Sequence, residues 1–193
     1  MGGDALPIPT IRVGDQATDK ATAYASFLEA TQAALDHETD TVAAMATVAY
    51  LLSRLLPHAS WSGFYRTDYI KCDGSLIVGP YVGTSMGCLR IARGKGVCGA
   101  AATQRRALVV PDVTAFPGHI ACSSATKSEL VVPVFEEGDS NAGKVAAVLD
   151  LDSEAAAAFD EADARGVEAV CSWLGRAFFP SDSARPAHED LVD

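Results

Sequence analysis

Hydrophobic positions follow a helical period at both ends of the chain and a strand period in the middle. From Thr18, residues Tyr24, Phe27, Leu28, Thr31 and Leu35 share one face at three- and four-residue spacing, which predicts a first helix with Thr31 as its one polar member. Asp40 or Thr41 caps a second, carrying Val42, Met45, Val48, Ala49, Leu52 and Leu55, and Pro57 ends it. The period then shortens to two. Trp61, Gly63 and Tyr65 alternate with Ser62, Phe64 and Arg66, and an Asp73-Gly74 turn leads to a second strand over Ser75 to Val82, so the pair reads as a hairpin. A glycine-rich loop over 83–96 precedes a short helix from Val97 to Gln104 and a short strand from Leu108 to Pro111. A long connection runs from Asp112 to Thr126. Two apolar strands follow, Glu129 to Phe135 and Lys144 to Asp152, joined by a polar turn. The last helix spans roughly Asp160 to Phe179, with Val167, Val170, Cys171, Leu174 and Phe178 as its stripe.

This order predicts an α+β fold: a central antiparallel sheet with helices on one face and ligand-pocket loops on the other. The loops at 83–96 and 112–126 are the natural pocket walls. Residues 1–16 are aperiodic and read as a flexible arm, 17–179 as a single domain, and 180–193 as a disordered tail.

Composition narrows the function classes. The 193 residues are 49% hydrophobic, enough for a real core, and carry a net charge of −10 with no basic stripe, which argues against nucleic acid. The longest apolar run, Val42 to Leu56, contains Thr47, Ser53 and Arg54 and falls short of the ~20 residues of a membrane span. MGGDALP lacks the apolar core of a signal peptide, so a soluble cytoplasmic protein with reduced thiols is expected.

That expectation gives the cysteines their meaning. Cys88, Cys98 and Cys122 lie in and around the two wall loops, whereas Cys72 sits beside a turn and Cys171 on a helix stripe. No CxxC, HExxH or histidine cluster occurs, so the spacing offers no metal site, and no cofactor is expected. Cys122 follows His119 in a polar loop, a setting that eases ionisation. Two thiols on facing loops allow a sulfenic acid on one to be captured as a disulfide by the other. Cys98, just inside a helix, reads either as a spare resolving thiol or as core. Asp150 and Asp152 interrupt the most apolar strand, on one side of it, and Glu129 opens the neighbouring one. Buried carboxylates need a cation or a proton, so this trio suits an ammonium group or proton delivery. Trp61 and Tyr65 point the same way, as core or as an aromatic wall for a sulfur or cationic group. GKGVCG at 94–99 and GTSMG at 83–87 match dinucleotide and hydrolase patterns only formally, because neither has the required flanking elements.

WSGFY at 61–65, GTSMGC at 83–88, GKGVCG at 94–99, FPGHIACSSATKSE at 116–129 and VLDLDS at 148–153 together resemble the free methionine-R-sulfoxide reductase family, a branch of the GAF-domain fold. The resemblance runs from about Tyr24 to Phe179. It implies that Cys122 is the nucleophile and Cys88 the resolving cysteine, with Cys98 the third catalytic-site thiol. It further implies substrate contacts at Trp61, Tyr65, Asp112, Glu129, Asp150 and Asp152, free methionine-R-sulfoxide as substrate, thioredoxin as reductant, and a homodimer. The turn at 136–143 is longer than the tight hairpin that the resemblance leads one to expect. The competing reading is a non-catalytic GAF module that binds a small molecule or senses redox state.

Overall fold

The computed structural model describes residues 6–68, 71, 73–120, 122–138 and 143–180. Cys72, residues 139–142 of the 136–143 turn and the tail beyond residue 180 therefore lie outside the described residues.

Six antiparallel strands form one sheet flanked by four helices. In chain order these are α1 (Ala17–Ala34), α2 (Thr41–Leu55), β1 (Trp61–Thr67), β2 (Leu76–Gly83), β3 (Arg90–Ile91), α3 (Gly96–Gln104), β4 (Leu108–Val110), β5 (Ser128–Phe135), β6 (Val145–Ser153) and α4 (Glu161–Phe178). The strand order across the sheet is β3-β2-β1-β6-β5-β4. Strands β5 and β6 are buried almost throughout, matching sequences that are apolar apart from Glu129, Asp150, Asp152 and the terminal serines. Strand β3 falls inside the stretch that reads as loop, since two residues are too few for a period to register. Ile91 pairs with Leu76 there and is buried.

Helices α1, α2 and α4 cover one face. Their core side chains, including Phe27, Met45, Leu52, Val170 and Leu174, meet Phe64, Leu130, Leu149 and Leu151 from the sheet. The helix starts follow their caps. The Asp40 side chain accepts from the Ala43 N–H, and Asp160 and Asp163 form a reciprocal capping box on α4. Asp163 has further partners. Its carboxylate accepts from Lys20 Nζ at 2.6 Å and from the Tyr24 hydroxyl at 3.1 Å, and Lys20 also reaches Asp160 at 2.9 Å. This buried group ties α1 to α4. The described part of the arm is anchored at one point: Ile11 is buried and its N–H donates to the Leu55 carbonyl at 2.8 Å. One anchoring isoleucine has no period to reveal it. Among the described residues no helix is long and apolar enough to cross a membrane.

The opposite face carries a smaller core built from Trp61, Tyr65, Val97, Cys98, Val131 and Val148, roofed by α3 and the loops around it. Register sets what this face presents. Trp61 lies opposite Asp152, and Asp152 opposite Glu129, so the three form one row across β1, β6 and β5. Asp150, two residues along β6, joins the same face opposite Gly63 and Val131.

Candidate active site

Strand alternation and loop closure together make a small cavity on that second face. Its floor is the acidic row, its wall the aromatic pair, and its mouth the loops that carry Cys88 and Cys122. The cavity itself is small, about 30 Å³.

Three glycines make room for the wall. A β-carbon at Gly63 or Gly83 would collide with the Trp61 indole, and one at Gly87 would lie 2.6 Å from the Tyr65 hydroxyl. With that space open, Trp61 stacks on Tyr65 at 5.6 Å and on Tyr81 at 5.1 Å between ring centres. The Tyr65 hydroxyl lies under the loop between β2 and β3, next to Gly87. Burial beside Asp150 pushes the Tyr65 phenol far up, so it stays neutral. The indole Nε1 of Trp61 is buried and has no hydrogen-bond partner.

Cys88 and Cys122 form a disulfide across the mouth, with Cα atoms 5.3 Å apart. Cys122 is exposed and Cys88 half-buried. The bond joins the two loops at the cavity mouth and leaves the sheet scaffold alone. The connection bearing Cys122 is held to the start of α3, where the Gly96 N–H donates to the Gly118 carbonyl at 3.3 Å and Ile120 lies over Gly96. Cys98 is not part of the disulfide. It is buried in the first turn of α3, and burial followed by the nearby Asp150, Glu129 and Asp152 charges pushes its thiol well up. It is core and cavity lining at once.

The acids are as desolvated as their strands imply. Burial, then the Asp152 charge, raises Glu129 to about 8, and burial raises Asp152 to about 7. Asp150 is pushed well above the carboxylate range by burial and by its two acidic neighbours. Glu129 Oε2 and Asp150 Oδ1 are buried without hydrogen-bond partners. Among the described residues the one potential cation near the trio is His119, whose Nε2 lies 3.7 Å from Glu129 Oε2. Burial lowers His119, which keeps the ring neutral, so the floor is left wanting a cation.

Of the residues picked from sequence, Trp61, Tyr65, Cys98, Cys122, Glu129, Asp150 and Asp152 line this cavity, and Cys88 closes it through the disulfide. Asp112 does not belong with them. It is exposed, and its carboxylate accepts from the Thr114 N–H and hydroxyl, capping a 3-10 turn over Val113–Ala115. That turn chemistry, legible in Asp-x-Thr, outranks the family position. The sequence reading did not pick out Met86, Ile120, Ser123 and Thr126 as lining residues, nor His119 as one. Their signal was adjacency: each sits within three residues of Cys88 or four of Cys122. The arrangement can hold a cationic group on the floor, a soft or methylated group against the indole, and a reacting atom at the mouth.

A curled antiparallel sheet whose second face holds a small cavity under two loops is the architecture of a GAF domain, and the GAF domain family pattern matches residues 28–178. The free methionine-R-sulfoxide reductase of Escherichia coli is 32% identical over 164 residues, covering 85% of this chain and 93% of that protein. Protein YtsP of Bacillus subtilis is 38% identical, over 86% of this chain and 96% of its own. The X-ray structure of free methionine-R-sulfoxide reductase from Neisseria meningitidis in complex with its substrate superposes with a TM-score of 0.75 at 36% identity, covering 89% of this chain and 95% of that one. The chain belongs to the free methionine-R-sulfoxide reductase family of GAF-domain proteins.

Proposed function

We propose that this protein reduces free L-methionine-R-sulfoxide to methionine, with Cys122 as nucleophile. The observation that carries the reading is the Cys88–Cys122 disulfide lying across a cavity floored by three cation-seeking acids. The substrate's ammonium group would sit against Asp150 and one of Glu129 and Asp152, which its charge would draw into ionised form, leaving the other protonated. Its methyl-sulfinyl end would lie against Trp61. An acid kept protonated by burial, Glu129 or Asp152, hydrogen-bonds the sulfoxide oxygen and supplies a proton.

The Cys122 thiolate takes the oxygen. The substrate S–O bond breaks, the substrate sulfur gains two electrons, and Cys122 loses two in becoming a sulfenic acid. Cys88 then attacks the Cys122 sulfur, the S–S bond forms, and the oxygen leaves as water. An external dithiol of thioredoxin type reduces the disulfide by exchange and is itself oxidised. An ammonium group held among the floor acids has to be a free one, which supports restriction to the free amino acid.

The test is oxidation of NADPH by thioredoxin reductase, thioredoxin and this protein with free R-sulfoxide, run beside the S epimer and a blocked peptide. Consumption with the free R form alone is the expected result. Cys122→Ser should abolish it, and Cys88→Ser should allow one stoichiometric turnover without recycling. Full turnover by Cys122→Ser overturns the mechanism. No consumption with any substrate, from protein with verified free thiols, overturns the activity and favours a ligand-sensing domain.

A further inference from the structure

The floor of the cavity contains a set of ligand atoms that an amino acid's ammonium group does not need. The Cys98 sulfur, one Glu129 oxygen and one Asp150 oxygen all lie within 4.8 Å of one another, and all three residues are buried. Two of the carboxylate oxygens there, Glu129 Oε2 and Asp150 Oδ1, have no hydrogen-bond partner. An ammonium ion is served by oxygens alone. A sulfur among them adds affinity for a borderline-soft metal ion and adds nothing for a hard one such as calcium.

We propose that this trio binds a thiophilic divalent cation, Zn²⁺ in the first instance, through Cys98, Glu129 and Asp150. Zinc bonds of about 2.3 Å to sulfur and 2.0–2.2 Å to oxygen set tetrahedral ligands about 3.5 Å apart, so the three atoms need close in by about an ångström. The fourth position faces the cavity, as in sites that keep one position open. The cavity has room for a bare ion even with the disulfide closed over it. The chain order concealed the site, because the ligands come from α3, β5 and β6 with none of the short spacings that mark zinc motifs. Its occupation would fill the cation site on the floor, so zinc would exclude an amino acid's ammonium group. That consequence rests on the proposed reaction, whereas the binding does not.

The test uses full-length protein in the disulfide form, in which Cys88 and Cys122 are unable to ligate. Zn²⁺ is titrated against a chromophoric chelator. Cd²⁺ is titrated separately and followed through the ultraviolet absorption of the metal–thiolate bond. The expected result is one ion bound with a thiolate band. Cys98→Ser should lose the band, and Glu129→Gln and Asp150→Asn should each weaken binding by at least about tenfold. Ca²⁺ should fail to compete. Circular dichroism identifies variants that fold, and the Glu129 variant carries the test if Cys98→Ser does not. Binding of zinc that is unchanged in the folded variants, displacement by Ca²⁺, or no binding of zinc by the wild-type protein overturns the proposal.

Discussion

Replacing Glu129 by glutamine should make the protein more resistant to alkaline pH, even though it damages the site. Burial holds the Glu129 carboxyl at about 8 against an ordinary value of 4.5, a gap of about 3.5 pH units worth about 1.4 kcal/mol each. The sign follows from proton counts. Between those two values the folded protein binds the proton and the unfolded chain does not, so stability is greatest near pH 4 and falls as pH rises toward 8. From pH 5 to pH 9 the wild-type protein should lose about 4 kcal/mol through this one group. For a chain of this size that is about 8–16 °C in melting temperature. Glutamine has the shape of the protonated acid and does not titrate. The variant should therefore melt close to the wild type at pH 5 and several degrees above it at pH 9. The assay is thermal unfolding of the oxidised, ligand-free protein across that range, followed by circular dichroism. Parallel wild-type and variant curves would refute the claim that Glu129 is a desolvated acid without a cation.

Gly83→Ala should push the indole of Trp61 off Tyr65, since the added β-carbon meets the ring. About 1–3 kcal/mol of stability should go with it, together with a raised KM for the sulfoxide, read by melting curves and the coupled assay. Lys20→Met should strand Asp163 as an unpaired buried charge and cost about 3–5 kcal/mol in urea unfolding.

The central strands and the last helix were legible because burial imposes a period on them. The runs through Val148 and Val131 are continuously apolar, and the α4 stripe keeps its spacing from Val167 to Phe178. The floor acids were legible for the same reason, as charges where the strand pattern asks for none. What the pattern missed lacks a period. Lys20 occupies the buried face of α1, and only the fold shows that Asp160 and Asp163, 140 residues away, await it. Ile11 is anchored by one side chain and one backbone hydrogen bond. Asp112 was drawn into the site by the family pattern, while its own neighbour Thr114 had already claimed it. The convergence of Cys98 with Glu129 and Asp150 depends on α3 folding back over the sheet, which no local spacing encodes.

The closed mouth has a kinetic consequence. With Cys88 joined to Cys122 the mouth is bridged over a narrow chamber. On the proposed mechanism the oxidised protein is a spent form, and the bridged mouth is expected to keep its substrate out until a reductant opens it. Under that mechanism sulfoxide and reductant would act on alternate forms of the protein without contending for the same one. Initial rates should follow a ping-pong law, with parallel double-reciprocal plots and no substrate inhibition at high sulfoxide. A cell under oxidant load could let the sulfoxide accumulate without jamming the catalyst that removes it.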